Sequence, residues 1–255
     1  MYSKSMIVAA QPEAAEAGAR VLMAGGNAVD ASVAVGFALA VTLPRAGNLG
    51  GGGFILIYNK EEDEIASIDY RSAAPKSATS DLFIDGEEVV RFGHLVNAIP
   101  GSVAGLLKAH TDYGSLPLSD LLKPAIRLAR EGFEVTYDLN FVLNWGKESL
   151  LANNTSKEKF YNSSEDPIAV KSIFKQPKLA RTLFMISKKG SDIFYKGEIA
   201  KWISEQSLSN GGLITLDDLA SYEAKNRKPI ETSYRGYRIV SMPPSASGGL
   251  VLLHT

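Results

Sequence analysis

Three short segments of this 255-residue chain combine residue types that can bind a small ligand. The first is a run of four glycines at residues 50–53, which brings bare backbone to the surface of a loop. The second is Arg71, whose guanidinium can hold a carboxylate through two hydrogen bonds. The third is the loop at residues 243–249, where glycines lie beside small hydroxyl side chains. Each segment also has a purely structural interpretation.

The glycine run has three interpretations. A phosphate cradle of the P-loop type needs a strand, the loop and then a helix, with a lysine closing the loop. Here a predicted helix precedes the loop and a predicted strand follows it, and Phe54 occupies the position of the lysine. The second interpretation is structural, because glycines permit positive φ values and close approach of the backbone to the next strand. The third is a site floor where a substrate touches bare backbone, but the residues alone favour the structural interpretation.

Arg71 comes directly after a predicted strand and just before Ser72. The end of a strand is a place from which a side chain can enter a site, and an arginine there can bind a carboxylate. The alternative is a surface ion pair, for which Asp69 is the nearest acidic candidate. Taken alone, the residues favour the ion pair, and they likewise favour an ordinary turn for residues 243–249.

Other catalytic templates are missing from the sequence. There is no cysteine, so a disulfide scaffold, thiolate metal sites and a cysteine nucleophile are excluded. The three histidines, His94, His110 and His254, lie far apart, and we interpret each as a surface or capping residue. The 27 basic and 28 acidic residues nearly cancel, which argues against a nucleic-acid partner. No apolar run approaches the roughly 20 residues of a membrane-spanning helix.

The elements that must position these segments form an α+β pattern. We expect helices at residues 12–24 and 28–43, the second capped by Asn27 with Asp30 and buried because it is apolar all round. Alternating apolar segments predict a hairpin of strands at residues 54–58 and 65–70. We also predict helices at 102–112, which Ser102 would cap, and at 118–131, 138–151, 178–189, 197–209 and 215–219, a strand at 237–241, and a polar surface segment at 153–166.

The chain is expected to form one domain, residues 1–255. Its last residues, 250–253, are apolar and follow a loop, which is typical of the opening of a new element. We therefore expect the chain to be truncated or to be part of a longer polypeptide. Its first residues lack the apolar core of a signal peptide, so either the protein is not exported or a leader has been removed.

Eight segments, taken in order, resemble the large-subunit part of the γ-glutamyltransferases (γ-glutamyl transpeptidases, glutathione hydrolases), from about Met6 to the end of the chain. They are residues 25–31 (GGNAVDA), 47–54 (GNLGGGGF), 69–71 (DYR) with 74–75 (AP), 100–105 (PGSVAG), 194–197 (FYKG), 211–215 (GGLIT) with 218–219 (DL), 234–237 (YRGY), and 243–244 (PP) with 247–249 (SGG). The ordered set is much more specific than any one segment.

The resemblance implies the fold of an N-terminal-nucleophile (Ntn) hydrolase, an αββα sandwich to which this chain supplies the large-subunit part. It also implies a precursor that cuts itself into a large and a small subunit. The threonine freed at the new N-terminus attacks the γ-glutamyl amide of glutathione-like substrates, and its own α-amine serves as the base. Water or an amino-acid amine then takes the acyl group. No metal or organic cofactor is implied.

Of the family's site residues, the resemblance assigns Arg71 to the α-carboxylate of the γ-glutamyl group. Ser72 departs from the family pattern, which often has an acidic residue there, and this bears on the orientation of Arg71 and on substrate preference. The nucleophilic threonine lies beyond the last matched segment, so no catalytic residue falls in this chain, and the C-terminal Thr255 cannot expose an α-amine. We therefore expect the chain alone to be inactive and to expose apolar surface where the small subunit packs.

Other functions remain open. One is a related Ntn acylase that acts on another amide, such as a β-lactam side chain or a poly-γ-glutamate capsule. Another is a non-catalytic fragment or binding protein with the same fold. A nucleotide-binding enzyme is a third, disfavoured by the helix–loop–strand order around the glycine run. Because the resembling family is commonly periplasmic, extracellular or at the membrane surface, we expect a periplasmic or extracellular location, with the cytoplasm as the alternative.

Overall fold

Twelve α-helices, two short 3-10 helices (Ser80–Phe83 and His94–Val96) and nine short strands lie in the part of the chain that the computed structural model describes, residues 5–85, 88–89 and 92–254. The helices are α1 (Pro12–Met23), α2 (Ala28–Thr42), α3 (Ser102–Tyr113), α4 (Leu118–Glu131), α5 (Tyr137–Trp145), α6 (Lys147–Leu151), α7 (Asn154–Phe160), α8 (Pro177–Lys189), α9 (Asp192–Tyr195), α10 (Glu198–Ser209), α11 (Leu216–Ala220) and α12 (Ser247–His254). The strands are β1 (Phe54–Asn59), β2 (Glu64–Asp69), β3 (Ile84–Asp85), β4 (Glu88–Val89), β5 (Phe133–Glu134), β6 (Ile173–Phe174), β7 (Lys225–Arg227), β8 (Ile230–Tyr234) and β9 (Tyr237–Ser241).

Helix α2 lies at the centre of the fold, as its apolar sequence predicts. It packs against α1, α3 and α4, and its largest side chain, Phe37, is fully buried. A Cβ on Gly36 would come within 2.7 Å of the side chain of Leu106 on α3, so the missing side chain allows the close approach of the two helices. The helix belongs to a hydrophobic core that extends from Val21 to Leu219.

The predicted capping box at the start of α2 is confirmed. The Asn27 Oδ1 atom accepts the backbone N–H groups of Val29 and Asp30, both at 2.9 Å, and Asp30 Oδ2 accepts the N–H of Asn27 at 3.0 Å. Asp30 also accepts the N–H and the hydroxyl of Ser115 and the N–H of Leu116, in the loop between α3 and α4. One buried carboxylate therefore both caps the N-terminus of the central helix and binds a loop that is distant in sequence.

Asp30 should make the stability of the protein depend on pH. Burial acts to raise the pKa of its carboxyl, but the hydrogen bonds from Ser115, Asn27 and Leu116 outweigh burial and lower the pKa. The charged form is thus favoured in the fold, and its contribution is complete above the unfolded pKa of about 3.9 and is lost as the pH falls through the lower folded pKa. We expect Asp30→Asn to reduce the free energy of unfolding by about 1–3 kcal/mol at pH 7.

Urea unfolding of the wild type and of Asp30→Asn at a series of pH values measures this contribution. The difference between the two proteins should shrink as the pH falls below about 4, because the carboxylate of the unfolded chain takes up a proton there whereas that of the folded protein does so only at lower pH. The matched control is Asp112→Asn, because Asp112 forms an ion pair with Lys108 on the surface of α3 and such pairs contribute little. A difference for Asp30→Asn that is constant with pH would contradict the prediction.

The predicted hairpin of two strands is confirmed, and a third strand extends its sheet. β1 and β2 are antiparallel, with Phe54 opposite Asp69, and β7 joins the other edge of β2, with Asp69 opposite Lys225. Sequence analysis did not predict β7, whose three residues are all polar and exposed. The sheet order β1-β2-β7 places the end of β2, and so Arg71, beside a strand that is much later in the sequence.

The polar segment predicted on the surface at 153–166 is mostly exposed, and it contains α7, a helix that was not predicted and that Asn153 caps through Ser156 N–H. Three other predictions of local structure were wrong. The single helix expected at 138–151 is divided at Gly146 into α5 and α6. Ser102 does not cap α3, because it is already the first residue of the helix. The loop expected at 243–249 ends earlier, since α12 begins at Ser247. Thr255 lies outside the described residues.

A membrane-spanning helix was not expected from the sequence. Within the described part of the chain, none of the helices combines the length and the apolar character needed to cross a bilayer.

Candidate functional site

A cavity of about 520 Å³ opens at the end of β2, and Arg71 lines it. Ser245, from the loop at 243–249, lines the same cavity. The structure therefore brings together two of the three segments that stand out in the sequence. The other charged residues of the lining are Asp69, Lys76, Asp218, Glu223, Lys225 and Arg227.

The guanidinium of Arg71 is available to a ligand. The ion pair considered for Arg71 and Asp69 is not formed, because the Asp69 carboxylate instead binds Nε of Arg227 at 3.1 Å and accepts the backbone N–H of Arg71 at 3.0 Å. Among the residues that the structure describes, no acidic side chain is paired with the Arg71 guanidinium, and Arg71 is exposed. An arginine in this state can bind a ligand carboxylate with both arms of its fork.

The backbone around Arg71 is held by its neighbours in the sheet and in the next loop. Tyr70 exchanges both backbone hydrogen bonds with Gly53, at 3.0 and 3.3 Å, and Ala73 exchanges both with Ile99, at 3.2 and 2.8 Å. Arg71 therefore lies in a short segment whose backbone is hydrogen-bonded on both sides of it. The exposed side chain projects from a backbone of defined position.

The glycine run packs closely against the segment that contains Arg71. A Cβ on Gly52 would lie 2.5 Å from the backbone nitrogen of Ser72 and 2.8 Å from the carbonyl oxygen of Tyr70. A Cβ on Gly53 would lie 2.8 Å from the Tyr70 hydroxyl. The structural interpretation of the run predicted a close approach of the backbone, which is confirmed. It also allowed positive φ values, which are not found, since none of the glycines at 50–53 has a positive φ.

The run is not the floor of the Arg71 cavity. None of its four glycines lines that cavity, whereas Gly50 lines a second cavity of about 660 Å³ between the glycine loop and α10. The helix–loop–strand order of α2, the run and β1 also differs from that of a phosphate-binding P-loop.

Asp218 fixes the far wall of the cavity. Its Oδ1 atom accepts the backbone N–H of Lys76 at 2.9 Å, and its Oδ2 atom accepts the N–H and the hydroxyl of Thr215, which caps α11. Burial acts to raise the pKa of Asp218, but the bonds from Thr215 and Lys76 outweigh it and lower the pKa. The ionised carboxylate joins the segment after Arg71 to α11.

Sequence analysis missed three side chains of the lining. Asp218 was recognised as part of a short capped helix and of one resembling segment but was given no role at the site, and its contact with Lys76 spans 142 residues. Tyr222 and Arg227 had no local signal, because each meets the Arg71 segment from more than 150 residues away.

The histidines are distant from this chemistry. Nε2 of His110 donates to the carbonyl oxygen of Leu116 at 2.8 Å, a structural contact, and His94 lines the second cavity. No histidine lines the described wall of the Arg71 cavity. Within the described ranges, no three His, Asp or Glu side chains are grouped as metal ligands.

Comparison with known proteins identifies the family. The family model described as Gamma-glutamyltranspeptidase matches residues 14–255. The glutathione hydrolase proenzyme of Escherichia coli (strain K12) is 45% identical in an alignment of 253 residues that covers 97% of this chain and 43% of the E. coli protein. This chain therefore spans less than half the length of that relative.

Solved structures agree with the sequence comparison. The γ-glutamyltranspeptidase of Helicobacter pylori matches with a TM-score of 0.95 and 41% identity, over 99% of this chain and 73% of that one. That of Pseudomonas nitroreducens matches with a TM-score of 0.91 and 38% identity, over 99% and 75%. The predicted fold class, an α+β Ntn-hydrolase αββα sandwich to which this chain supplies the large-subunit part, is confirmed. The chain belongs to the γ-glutamyltranspeptidase family.

Proposed function

We propose that the protein containing this chain is a γ-glutamyl amide hydrolase and transferase that acts on glutathione and related γ-glutamyl compounds. The observation that carries the proposal is the free guanidinium of Arg71 in the cavity at the end of β2. A γ-glutamyl group carries a carboxylate on its α-carbon, and that carbon is three bonds from the carbonyl carbon of the amide that is cleaved. Arg71 would bind the carboxylate and so hold the amide at a defined distance from the guanidinium.

The charges around Arg71 support an anionic ligand. Lys76 is neutralised by Asp217 at 2.5 Å and Arg227 by Asp69 at 3.1 Å, so these two cations are already paired within the protein. Arg71 and Lys225 have no such partner among the described residues, which leaves them as the lining cations whose charge a ligand can neutralise. Charge-assisted, bidentate binding is the strongest hydrogen-bonded contact that one side chain can offer a carboxylate.

The reaction that we propose uses a threonine at the N-terminus of the small subunit. Its Oγ atom attacks the γ-carbonyl carbon while its own α-amine takes the hydroxyl proton. The C–N bond then breaks, the proton passes to the leaving amine, and a γ-glutamyl ester remains on the threonine. Water or the amine of an amino acid attacks this ester and restores the hydroxyl. No metal or organic cofactor takes part in these steps.

The small subunit from the same precursor is the proposed macromolecular partner. Exposed apolar side chains cluster in the last part of the chain, where Tyr234 and Tyr237 on the β8–β9 hairpin are 57% and 72% exposed. Leu250 and Val251 on α12 are 41% and 64% exposed. An apolar surface of this kind is typical of a covered interface, which supports a second polypeptide packed on it.

We propose further that residues 1–255 belong to one domain and that the protein works in the periplasm or outside the cell. The large core that extends from Val21 on α1 to Leu219 on α11 supports the first statement. The usual location of the family supports the second.

The proposed function is tested with the full-length protein and a chromogenic γ-glutamyl anilide. We expect release of the aniline, faster release when an amino-acid acceptor is added, and no release by residues 1–255 alone. The matched substrate is the 4-aminobutanoyl anilide, which has the same amide and amine spacing but lacks the α-carboxylate. Equal turnover of both anilides, or no turnover of the γ-glutamyl compound by the folded full-length protein, would contradict the proposal.

A further inference from the structure

The carbonyl oxygen of Arg71 is bound by a side chain from the other end of the chain. The hydroxyl of Tyr222, two residues beyond α11, donates to this oxygen at 2.9 Å. Burial, together with the nearby charge of Asp69, raises the pKa of Tyr222 to about 12. The hydroxyl therefore keeps its proton and remains a donor throughout the pH range in which proteins of this type are studied.

The ring of Tyr222 is itself held in place. It stacks on Tyr195 with ring centroids 5.7 Å apart and planes within 12° of parallel. The Tyr195 hydroxyl donates to the carbonyl oxygen of Pro100 at 2.8 Å and accepts the N–H of Ala104 at 3.1 Å. Because both contacts of Tyr195 are with backbone at the start of α3, the stacked pair cannot turn freely.

The peptide unit on the other side of Arg71 is held by a different residue. The Asp69 carboxylate accepts the Arg71 N–H with one oxygen and binds Arg227 with the other. The N–H and the C=O of Arg71 are thus both bonded, one to a carboxylate and one to a phenol. The guanidinium, by contrast, projects freely from this fixed backbone into the cavity.

We propose that Tyr222 is a positioning residue for the substrate carboxylate, acting through the carbonyl of Arg71 on the direction from which the guanidinium reaches its ligand. The proposal rests on the proposed function of Arg71 and adds a residue to it. A bidentate pair needs both N–H groups aligned with both carboxylate oxygens, so a backbone that can rotate at Arg71 weakens the pair.

The expected effect is on substrate binding. Arg71 holds the α-carboxylate equally in the ground state and in the transition state, so a loss of its alignment raises KM and leaves kcat nearly unchanged. Tyr222→Phe removes the hydroxyl and keeps the stacked ring. We expect KM for the γ-glutamyl anilide to rise about 3- to 10-fold, the usual net worth of one hydrogen bond.

The experiment compares Tyr222→Phe with Tyr161→Phe in the full-length protein. Tyr161 is the matched control, since its buried hydroxyl also donates to a backbone carbonyl, that of Leu143 at 2.6 Å, and it does not line the Arg71 cavity. Each variant is assayed with the γ-glutamyl anilide and with the 4-aminobutanoyl anilide, and its thermal midpoint is recorded. Tyr222→Phe is also combined with Arg71→Ala.

The proposal predicts a higher KM for Tyr222→Phe with the γ-glutamyl anilide alone, an unchanged KM for Tyr161→Phe, and no further effect of Tyr222→Phe when Arg71 is already alanine. An unchanged KM in Tyr222→Phe, an equal loss with both anilides, or effects that simply add in the double variant would overturn it. If Arg71 did not bind the α-carboxylate, the result would be different, because Arg71→Ala alone would then leave KM for the γ-glutamyl anilide unchanged.

Discussion

Arg71→Ala should raise KM for γ-glutamyl amides by about 100-fold or more while kcat changes far less, because two charge-assisted hydrogen bonds worth about 1.5 kcal/mol or more each are lost. The exposed guanidinium, free of acidic partners among the described residues, makes this the largest binding effect that we expect. The KM of Arg71→Lys should lie between those of the wild type and of Arg71→Ala, since an ammonium keeps the charge but cannot form two parallel hydrogen bonds. Steady-state kinetics of the full-length protein measure both constants.

The matched control for Arg71→Ala is Arg20→Ala. Arg20 is also exposed, but it pairs with Glu16 on α1 and does not line the Arg71 cavity. Its replacement should leave KM unchanged. The 4-aminobutanoyl anilide is the second control, because Arg71→Ala should not alter the turnover of a substrate that lacks the α-carboxylate. A loss of equal size with both anilides would show that Arg71 does not bind that carboxylate.

Gly101→Ala should have the largest effect on stability. A Cβ at this position would overlap the carbonyl oxygen of Tyr70 and the hydroxyl of Tyr222, neither of which can move without disturbing Arg71. The N–H of Gly101 is also bonded to the carbonyl of Gly51 at 2.7 Å, so the glycine cannot retreat. We expect the free energy of unfolding to fall by about 3 kcal/mol, at the upper end for overpacking.

Gly51→Ala is the control for this prediction, because the two glycines are hydrogen-bonded neighbours. A Cβ on Gly51 would come no closer than 3.4 Å to its surroundings, which is ordinary van der Waals contact. Urea unfolding should therefore separate the two variants clearly. Equal midpoints would mean that the contact between the glycine loop, Tyr70 and Tyr222 is looser than the structure shows.

The parts of the fold that the sequence predicted well are those whose cause is local. The capping box of Asn27 and Asp30, the apolar α2, and the β1–β2 hairpin all follow from residues within a few positions of one another. The break at Gly146 also has a local cause, but one glycine in a helical pattern is a weak signal. The helix α7 was missed because its polar sequence resembles a loop, although Asn153 caps it.

The candidate site was predictable only in part. Arg71 was found through the resemblance to a family, since from the residues alone an ion pair with Asp69 was the favoured interpretation. That interpretation failed because Arg227, 158 residues further on, takes the Asp69 carboxylate. The contact of Tyr222 with Arg71 is of the same kind, and no local pattern encodes either of them. The close approach of Gly52 to the backbone of Ser72 is likewise a tertiary contact that no local pattern encodes.

The measurement that tests the central claim most directly is the intact mass of the full-length protein, acid-quenched during turnover of a γ-glutamyl amide. The proposed mechanism predicts two polypeptides, with the mass of one γ-glutamyl group added to the one that begins with threonine and none added to the one that contains Arg71. Turnover by a single uncleaved chain, or a γ-glutamyl group found on the Arg71 polypeptide, would contradict it.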